Sequence, residues 1–219
     1  MIGRAGGNVA VLLIAVSTGA HAQTAESVLA AAESRYASTT TMQAPFVQTI
    51  INPMLGNPLE TRGSLYIQKP NYFAMRFSDP EGDRIVVDGD WMWAYAPSSV
   101  EGQVIRQRIP ETGGLTPNLI AQFVERPLER YRVEYHGGGS VNGEAVDVVV
   151  LHPDNPDAMG FKDATVSFGR SSRLPVRIDL TELSGQQRII LLADLALNRP
   201  VDPAEFRFEV PRGVRVVTP

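Results

Sequence analysis

The sequence predicts a mainly β fold with a few helices, built as a strongly curved antiparallel sheet or open barrel. Segments in which apolar and polar residues alternate recur along most of the chain, and turn residues separate them. Only two segments have helical periodicity. Nothing resembles a parallel βαβ repeat, so consecutive strands are expected to pair as hairpins.

A helix at 26–38 is the first predicted element, because Val28, Leu29 and Ala32 share one apolar face. The strands follow it. About ten or eleven are predicted, at residues 46–51, 61–68, 71–78, 84–87, 91–96, 103–109, 130–135, 144–151, 164–168, 175–182 and 187–197, with a short strand-like tail at 206–210.

A second helix is predicted at 116–124, with Thr116 as its N-cap and Pro117 in its first turn. Its apolar face consists of Leu119, Ile120, Phe123 and Val124. Two glycines, Gly113 and Gly114, precede this helix and are plausible hinge residues. The chain shows no internal repeat or interdomain linker.

Two predicted strand segments, 91–95 and 189–192, are apolar on both faces. One interpretation is a sheet covered on both sides by helices, or residues lying under a loop. The other is a sheet wrapped around an apolar cavity. Two amphipathic helices give little cover for so many strands, which favours the cavity.

The N-terminus is typical of a secretory signal peptide. Arg4 precedes an apolar run at 9–16, and Ala20 and Ala22 form a small-x-small cleavage site. The run is too short for the alternative, a membrane-spanning anchor of about 20 residues. We therefore expect a signal peptide at 1–22 and a single domain at 23–219.

Composition narrows the functional classes. The sequence contains no cysteine and carries a net charge of −4, so we expect no disulfide, no lipid attached to cysteine and no membrane anchor. Its basic residues are scattered, which argues against nucleic-acid binding. A monomer is expected.

No catalytic or metal-binding constellation is predicted, and no cofactor. His136 and His152 lack a partner at zinc-ligand spacing and are interpreted as solvent-facing. The Asp88–Asp90 segment is interpreted as a hairpin turn and not a calcium loop. Asp154 and Asp157 fall in a predicted solvated loop, and no G-x-S-x-G elbow occurs.

Several short motifs follow one another along the chain. In order, the motifs are Phe46-Val47-Gln48, Gly63-Ser64-Leu65, Lys69-Pro70-Asn71-Tyr72-Phe73, Ile85-Val86-Val87-Asp88-Gly89, Trp93-Ala94-Tyr95-Ala96-Pro97, Thr116-Pro117 with Leu119-Ile120, Asp202-Pro203-Ala204, Phe206-Arg207-Phe208 and Pro211-Arg212-Gly213-Val214. Each motif alone is weak, but their order and spacing are fairly specific. Together they resemble the LolA family of periplasmic lipoprotein carriers.

The resemblance implies an incomplete antiparallel barrel with a helical lid over an apolar cavity for acyl chains. It further implies that triacylated lipoproteins are taken from an inner-membrane ABC transporter complex and passed to an outer-membrane lipoprotein receptor. The residues expected to line the cavity are Leu65, Ile67, Phe73, Met75, Phe77, Trp93 and Leu191, with Met92 as a further soft wall residue. The lid residues would be Val28, Leu29, Ala32, Leu119, Ile120 and Phe123.

One position departs from the family. Members commonly carry arginine before the Pro-Asn pair, where it hydrogen-bonds lid carbonyls, and here that position is Lys69. A lysine is a flexible point donor, so the resemblance implies a more weakly latched lid. Alternatively, Lys69 is a solvated turn residue and other contacts close the lid.

Other functions stay open on the sequence. A lipid or lipoprotein sensor of the same fold would usually carry an additional domain, and a glycolipid carrier would have a similar cavity. A lipid hydrolase would need a nucleophile beside a base, and none was found. A purely structural envelope protein fits the composition but not the ordered motifs.

Overall fold

The computed structural model describes residues 23–54, 56–109 and 118–219, so the predicted signal peptide lies outside the described residues. All strands belong to one sheet. Its strands are β1 (Thr41–Ile51), β2 (Leu59–Gln68), β3 (Tyr72–Asp79), β4 (Glu81–Asp88), β5 (Trp91–Tyr95), β6 (Gln103–Arg108), β7 (Tyr131–Val141), β8 (Glu144–Pro153), β9 (Phe161–Gly169), β10 (Pro175–Glu182), β11 (Gln187–Leu192), β12 (Ala196–Leu197) and β13 (Arg215–Val217).

The sheet consists of two meanders, and the first strand of one pairs with the last strand of the other. Strands β1 to β6 pair in sequence order, as do β7 to β11, and β1 pairs with β11. The ends of the sheet, β7 and β13, do not pair with each other. The mainly β fold and the incomplete barrel predicted from the sequence are confirmed.

The sheet has 13 strands and not ten or eleven. The predicted strand at 187–197 divides into β11 and β12, because the chain leaves the sheet after Leu192 before β12 pairs with β1. The last strand, β13, pairs in parallel with β6. Both short strands are specified by long-range pairing, which leaves little trace in local alternation.

Strand β1 starts five residues earlier than predicted and runs through Pro45. Proline has no N–H to donate to a ladder and usually stops a central strand. Here the Pro45 carbonyl accepts from the N–H of Ala193, in the break between β11 and β12. The missing N–H faces that break, so no ladder bond is lost.

The described residues contain three α-helices: α1 (Ala25–Ala37), α2 (Ala121–Val124) and α3 (Pro156–Met159). The first confirms the prediction to within one residue at each end, and the Thr24 hydroxyl caps it by accepting from Ser27 N–H at 3.2 Å. The second is a single turn. Its predicted cap and hinge, 113–117, lie outside the described residues.

The third helix corrects part of the solvated loop predicted around Asp154 and Asp157: Asp157 is helical, while Asp154 precedes the helix and both are exposed as predicted. The Asn155 side chain accepts from Ala158 N–H at 3.1 Å, and Pro156 occupies the first turn. Gly160 ends the helix with a φ of 77°. These are ordinary cap signals, but four residues are too few for a periodic pattern.

The predicted strand-like tail at 206–210 is also wrong. A 3₁₀ helix occupies Pro203–Phe206, and the Asp202 carboxylate caps it by accepting from Ala204 N–H at 2.9 Å. The chain then extends across the sheet to β13. We call residues 201–210 the C-terminal strap.

Buried apolar residues form two clusters on opposite faces of the sheet. The inner face, which α1 covers, carries the large cluster, including Leu29, Leu65 and Phe73. The outer face carries a small cluster of Ala74, Val86, Val201 and Phe206 under the C-terminal strap. Among the described residues, no helix is long and apolar enough to cross a bilayer.

Candidate functional site

An open cavity of about 470 Å³ lies on the inner face, between the sheet and the short helices. Most of its wall is apolar. The lining residues are Gln48, Phe73, Met75, Phe77, Ile85, Met92, Leu119, Gln122, Met159, Gly160, Phe161, Leu180, Glu182, Arg188 and Ile190. They come from both meanders, so the β1–β11 pairing assembles the site.

The structure places three of the predicted wall residues, Phe73, Met75 and Phe77, along β3 on the cavity wall. Met92 of β5 joins them. Leu65 and Ile67 share the inner face, but they are completely buried in the main cluster and do not border the cavity. They pack beside the wall residues of β3, on the adjacent strand β2.

Trp93 and Leu191 are corrections, since both point away from the cavity. Successive residues of a strand face opposite sides, and in β5 and β11 it is Met92 and Ile190 that face inward. Trp93 stacks on Phe208 of the C-terminal strap with ring centroids 5.2 Å apart. Its indole N–H donates to Asp88 at 2.8 Å.

Strand β5 is therefore apolar on both faces for two different reasons. On β5, the inner residue borders the cavity while Trp93 lies under a covering segment, which is the loop interpretation left open by the sequence. Periodicity could not assign these faces, because both are apolar. The choice depends on register, which β4 sets by pairing Val86 with Trp93.

Sequence reasoning did not select ten residues of the wall. They are Gln48, Ile85, Gln122, Met159, Gly160, Phe161, Leu180, Glu182, Arg188 and Ile190. Ile85 alternates in phase with the buried Val87 on β4, a signal that could have identified it. The two charged residues carried no such signal, because charges at strand ends are usually solvated.

Helix α1 covers the inner face with the predicted lid residues. Val28, Leu29 and Ala32 are all buried in the main cluster, as is Tyr36 one turn further on. The spacing of three and four residues places them on one stripe. The exposed face of α1 carries Glu26 and Ser34.

Residues 118–126 form the second covering element. Leu119 borders the cavity, while Ile120 and Phe123 are completely buried. Asn118 caps the turn, its Oδ1 accepting from the N–H groups of Ile120 and Ala121 at 3.1 and 3.2 Å. Within the part of the chain that the structure describes, the Asn118 side chain therefore positions this segment.

Lys69 contacts the C-terminal end of α1, as the latch hypothesis requires. Its ammonium donates to the Tyr36 carbonyl and lies 4.0 Å from the centroid of the Tyr36 ring. Burial lowers the pKa of Lys69, and the nearby Glu125 carboxylate partly opposes this shift. The geometry fits a latch; whether it acts as one stays a proposal.

Two further bonds join α1 to the segment 118–126. The Asn118 amide donates to the Tyr36 hydroxyl at 2.9 Å, and the Arg126 backbone N–H donates to Glu33 at 3.1 Å. Burial is the main cause that raises the pKa of Tyr36, so the phenol stays protonated. The two covering elements are linked to each other as well as to the sheet.

Polar groups are concentrated at one end of the cavity. Arg188 donates from Nε and Nη2 to Oε1 of Glu182, at 3.2 and 2.9 Å, and Gln186 donates to Oε2 at 3.1 Å. Gln48, buried, donates to Thr61 at 3.3 Å. This polar end, Gln48 with Glu182 and Arg188, lies toward the β10–β11 turn.

His152, on the outer face of β8, corrects the prediction of solvent-facing histidines, whereas His136 is exposed as predicted. His152 is half-buried and its Nδ1 lies 2.6 Å from Asp163, with Glu134 3.8 Å from Nε2. Strand pairing, not sequence spacing, brings these groups together. The described residues contain no group of three or more His, Cys, Asp or Glu side chains able to hold a metal.

A curved, unclosed sheet with a covered apolar cavity defines a class of proteins that enclose hydrophobic ligands. Residues 37–209 match the family described as outer membrane lipoprotein carrier protein LolA, and the chain belongs to this family. Relatives include outer-membrane lipoprotein carrier proteins of Pseudomonas aeruginosa, 29% identical over 81% of both chains, and of Chromohalobacter salexigens, 27% identical over 82% of this chain and 81% of its own.

Two solved structures share the fold at lower identity. An uncharacterised conserved protein from Thermus thermophilus has a TM-score of 0.56 at 15% identity, covering 89% of this chain and 99% of its own. MucB, in its complex with MucA from Pseudomonas aeruginosa, has a TM-score of 0.51 at 13% identity. This likeness covers 89% of the present chain and 63% of that one. Both show the fold alone.

Proposed function

We propose that the protein is a periplasmic carrier that holds lipoprotein acyl chains in the inner-face cavity. The observation that carries the proposal is an unfilled space of about 470 Å³ on the inner face, between the sheet and the segments that carry Leu119, Gln122 and Met159. Family membership and the names of the relatives support lipoprotein cargo. The signal peptide expected at 1–22 supports export.

The proposed route begins at an inner-membrane ABC transporter complex and ends at an outer-membrane lipoprotein receptor. In this scheme the chain has no anchor and leaves one membrane for the other. It binds and releases cargo without catalysing a reaction, and it needs no cofactor.

Magnitudes limit how such a carrier binds. Burial of one sixteen-carbon chain is worth about 12 kcal/mol, whereas noncovalent binding saturates near about 18–21 kcal/mol. Complete burial of three chains would exceed that limit and prevent release. A cavity of about 470 Å³ lies within the range of pockets for single small ligands, about 300–1,000 Å³. Three whole chains therefore need an opened lid or partial shielding.

Charging the cavity wall tests the proposal. In Ile85→Glu a carboxylate enters the apolar wall, and we expect triacylated lipopeptide to bind at least about tenfold more weakly because the charge loses solvation. The matched control is Ile105→Glu, since Ile105 is exposed on β6 and does not line the cavity. Binding is followed by displacement of a fluorescent acyl probe, and circular dichroism checks folding.

If Ile85→Glu does not fold, Met92→Trp narrows the same cavity without charge. Equal affinity of wild type and the folded cavity variants would contradict the proposal. Transfer of lipopeptide between donor and acceptor vesicles separates a carrier from a sensor: we expect the wild type to accelerate transfer, whereas a sensor binds without accelerating it. Selective binding of glycolipid would favour the glycolipid carrier.

A further inference from the structure

The polar end of the cavity contains an ion pair that faces the proposed ligand space. In the register of the sheet, Gln48 pairs with Ile190, and Ile50 one step further pairs with Arg188. Glu182 is the last residue of β10 and lies beside the turn that joins β10 to β11. All three polar side chains line the same cavity as Phe73 and Met75, so a ligand that fills the cavity contacts both sets.

The ion pair neutralises itself within one hairpin. Both Oε atoms of Glu182 already accept hydrogen bonds, from Arg188 and Gln186. Arg188 uses Nε and Nη2 for this contact and Nη1 has no hydrogen-bond partner in the described ranges. The guanidinium thus keeps free N–H donors. The carboxylate cancels its positive charge, so the pair as a whole carries no net charge.

Gln48 adds a second group with unused capacity. Its amide donates to Thr61, and its carbonyl oxygen has no hydrogen-bond partner in the part of the chain that is described. The side chain is nevertheless buried, with 5% of its surface exposed. The carbonyl oxygen is not fully buried and belongs to a cavity-lining side chain, so it can accept a hydrogen bond from a ligand amide N–H.

We propose that Gln48 and the Glu182–Arg188 pair form a subsite for the uncharged ester and amide groups that link acyl chains to a head, and that this subsite selects against phosphate. The inference rests on the proposed acyl-binding function. Carbonyl oxygens accept from the free N–H groups of Arg188 without requiring charge. A phosphate binds more strongly beside an unneutralised cation, and Glu182 neutralises the charge of Arg188.

The same hairpin provides a matched control. Arg177 and Asp179 of β10 form a comparable bidentate pair, with Nε and Nη2 at 2.7 and 2.8 Å from the two carboxylate oxygens. By strand alternation this pair lies on the outer face, opposite Ile178 and Leu180. Neutralising Asp179 changes the net charge as neutralising Glu182 does, but away from the cavity.

The experiment measures head-group preference as a ratio. Tripalmitoyl-S-glycerylcysteinyl-serine amide, which is uncharged, and dipalmitoylphosphatidylglycerol each compete with a dansyl-labelled palmitamide for the mature chain. The probes carry three and two palmitoyl chains, so the change of the affinity ratio between variants, and not the ratio itself, reports the head group. We expect the wild type to prefer the lipopeptide. Glu182→Gln should shift the ratio toward the phospholipid by about fivefold or more, since it uncovers the charge of Arg188.

Asp179→Asn should keep the wild-type ratio. An unchanged ratio in Glu182→Gln, or an equal shift in both variants, would overturn the subsite while leaving acyl binding intact. Failure of the lipopeptide to bind the wild type would instead overturn the proposed function itself. If Glu182→Gln does not fold, Arg188→Gln gives the test: we expect weaker lipopeptide binding with no gain for the phospholipid, and unchanged lipopeptide binding overturns the subsite.

Discussion

Strands β3 to β5 bury large apolar side chains on both faces, but in two different ways. On the outer face the C-terminal strap packs on these side chains. Trp93 stacks on Phe208, and the ring centroids of Tyr72 and Phe206 are 5.6 Å apart. On the inner face Phe77 and Met92 border open space. The comparison teaches that loss of solvent exposure alone does not separate a core from a binding site.

The covers of the two faces are also held differently. Arg76 fixes the C-terminal strap by donating to the carbonyls of Ala204 and Glu205 at 2.9 and 2.8 Å, and it forms an ion pair with Glu205. Lys69 gives α1 one donor to one carbonyl, that of Tyr36. An arginine fork fixes geometry better than an ammonium, so we expect the Lys69 contact of the inner cover to be the weaker of these two polar contacts.

The largest effect is expected from removing the main side chain of the strap. Phe206 is 4% exposed and packs on Ala74 and Val86. Phe206→Ala should therefore lower the free energy of unfolding by about 3 kcal/mol. Phe77→Ala on the inner face should cost less than half as much, because that ring already borders a cavity. Urea denaturation of both variants measures the difference.

Acyl-probe binding gives the second half of this comparison. We expect folded Phe206→Ala to bind the probe with the affinity of the wild type. Phe77→Ala should bind it with a changed affinity. Equal destabilisation by both variants would show that the inner cavity is collapsed in solution, contrary to the structure.

A smaller effect is expected at the lid. Lys69→Leu removes the hydrogen bond and the cation–π contact with Tyr36, together worth about 1 kcal/mol at a half-buried site. Amide hydrogen exchange in α1 should accelerate correspondingly, and transfer of lipopeptide between vesicles should change. Lys69→Arg is the control, and it should slow exchange because the fork makes a firmer contact.

Unchanged exchange and unimpaired cargo release in Lys69→Leu would rule out the latch. Lys69 would then be a turn residue, and the bonds from Asn118 to Tyr36 and from Arg126 to Glu33 would be left as the polar contacts that join α1 to its neighbour.

The sequence predicted features that local chemistry specifies. Alternation identified the strands, and the stripe of Val28, Leu29 and Ala32 identified α1. Along β3, strict alternation also gave the correct cavity side for Phe73, Met75 and Phe77, because Ala74 and Arg76 are unsuited to the same wall.

Features set by distant pairing were not predictable. Trp93 and Leu191 sit on strands that are apolar on both faces, so only the register reveals their direction. The strap that covers Trp93 is about a hundred residues away in the chain, and local pattern cannot report such a contact. The ion pair of Glu182 and Arg188 faces the cavity for the same kind of reason: its side is set by neighbouring strands.

The smallest effect is expected at Arg84, beneath the strap. Its guanidinium lies 4.8 Å from the Phe208 ring centroid, and its Nε is buried without a hydrogen-bond partner among the described residues. Burial, with the charge of Arg76 as a lesser cause, lowers the pKa of Arg84. Because desolvation opposes the stacking gain, Arg84→Met should change the free energy of unfolding by less than about 1 kcal/mol. A loss comparable to that of Phe206→Ala, measured in the same urea titration, would show that the strap is held by cation–aromatic contact and not by apolar packing.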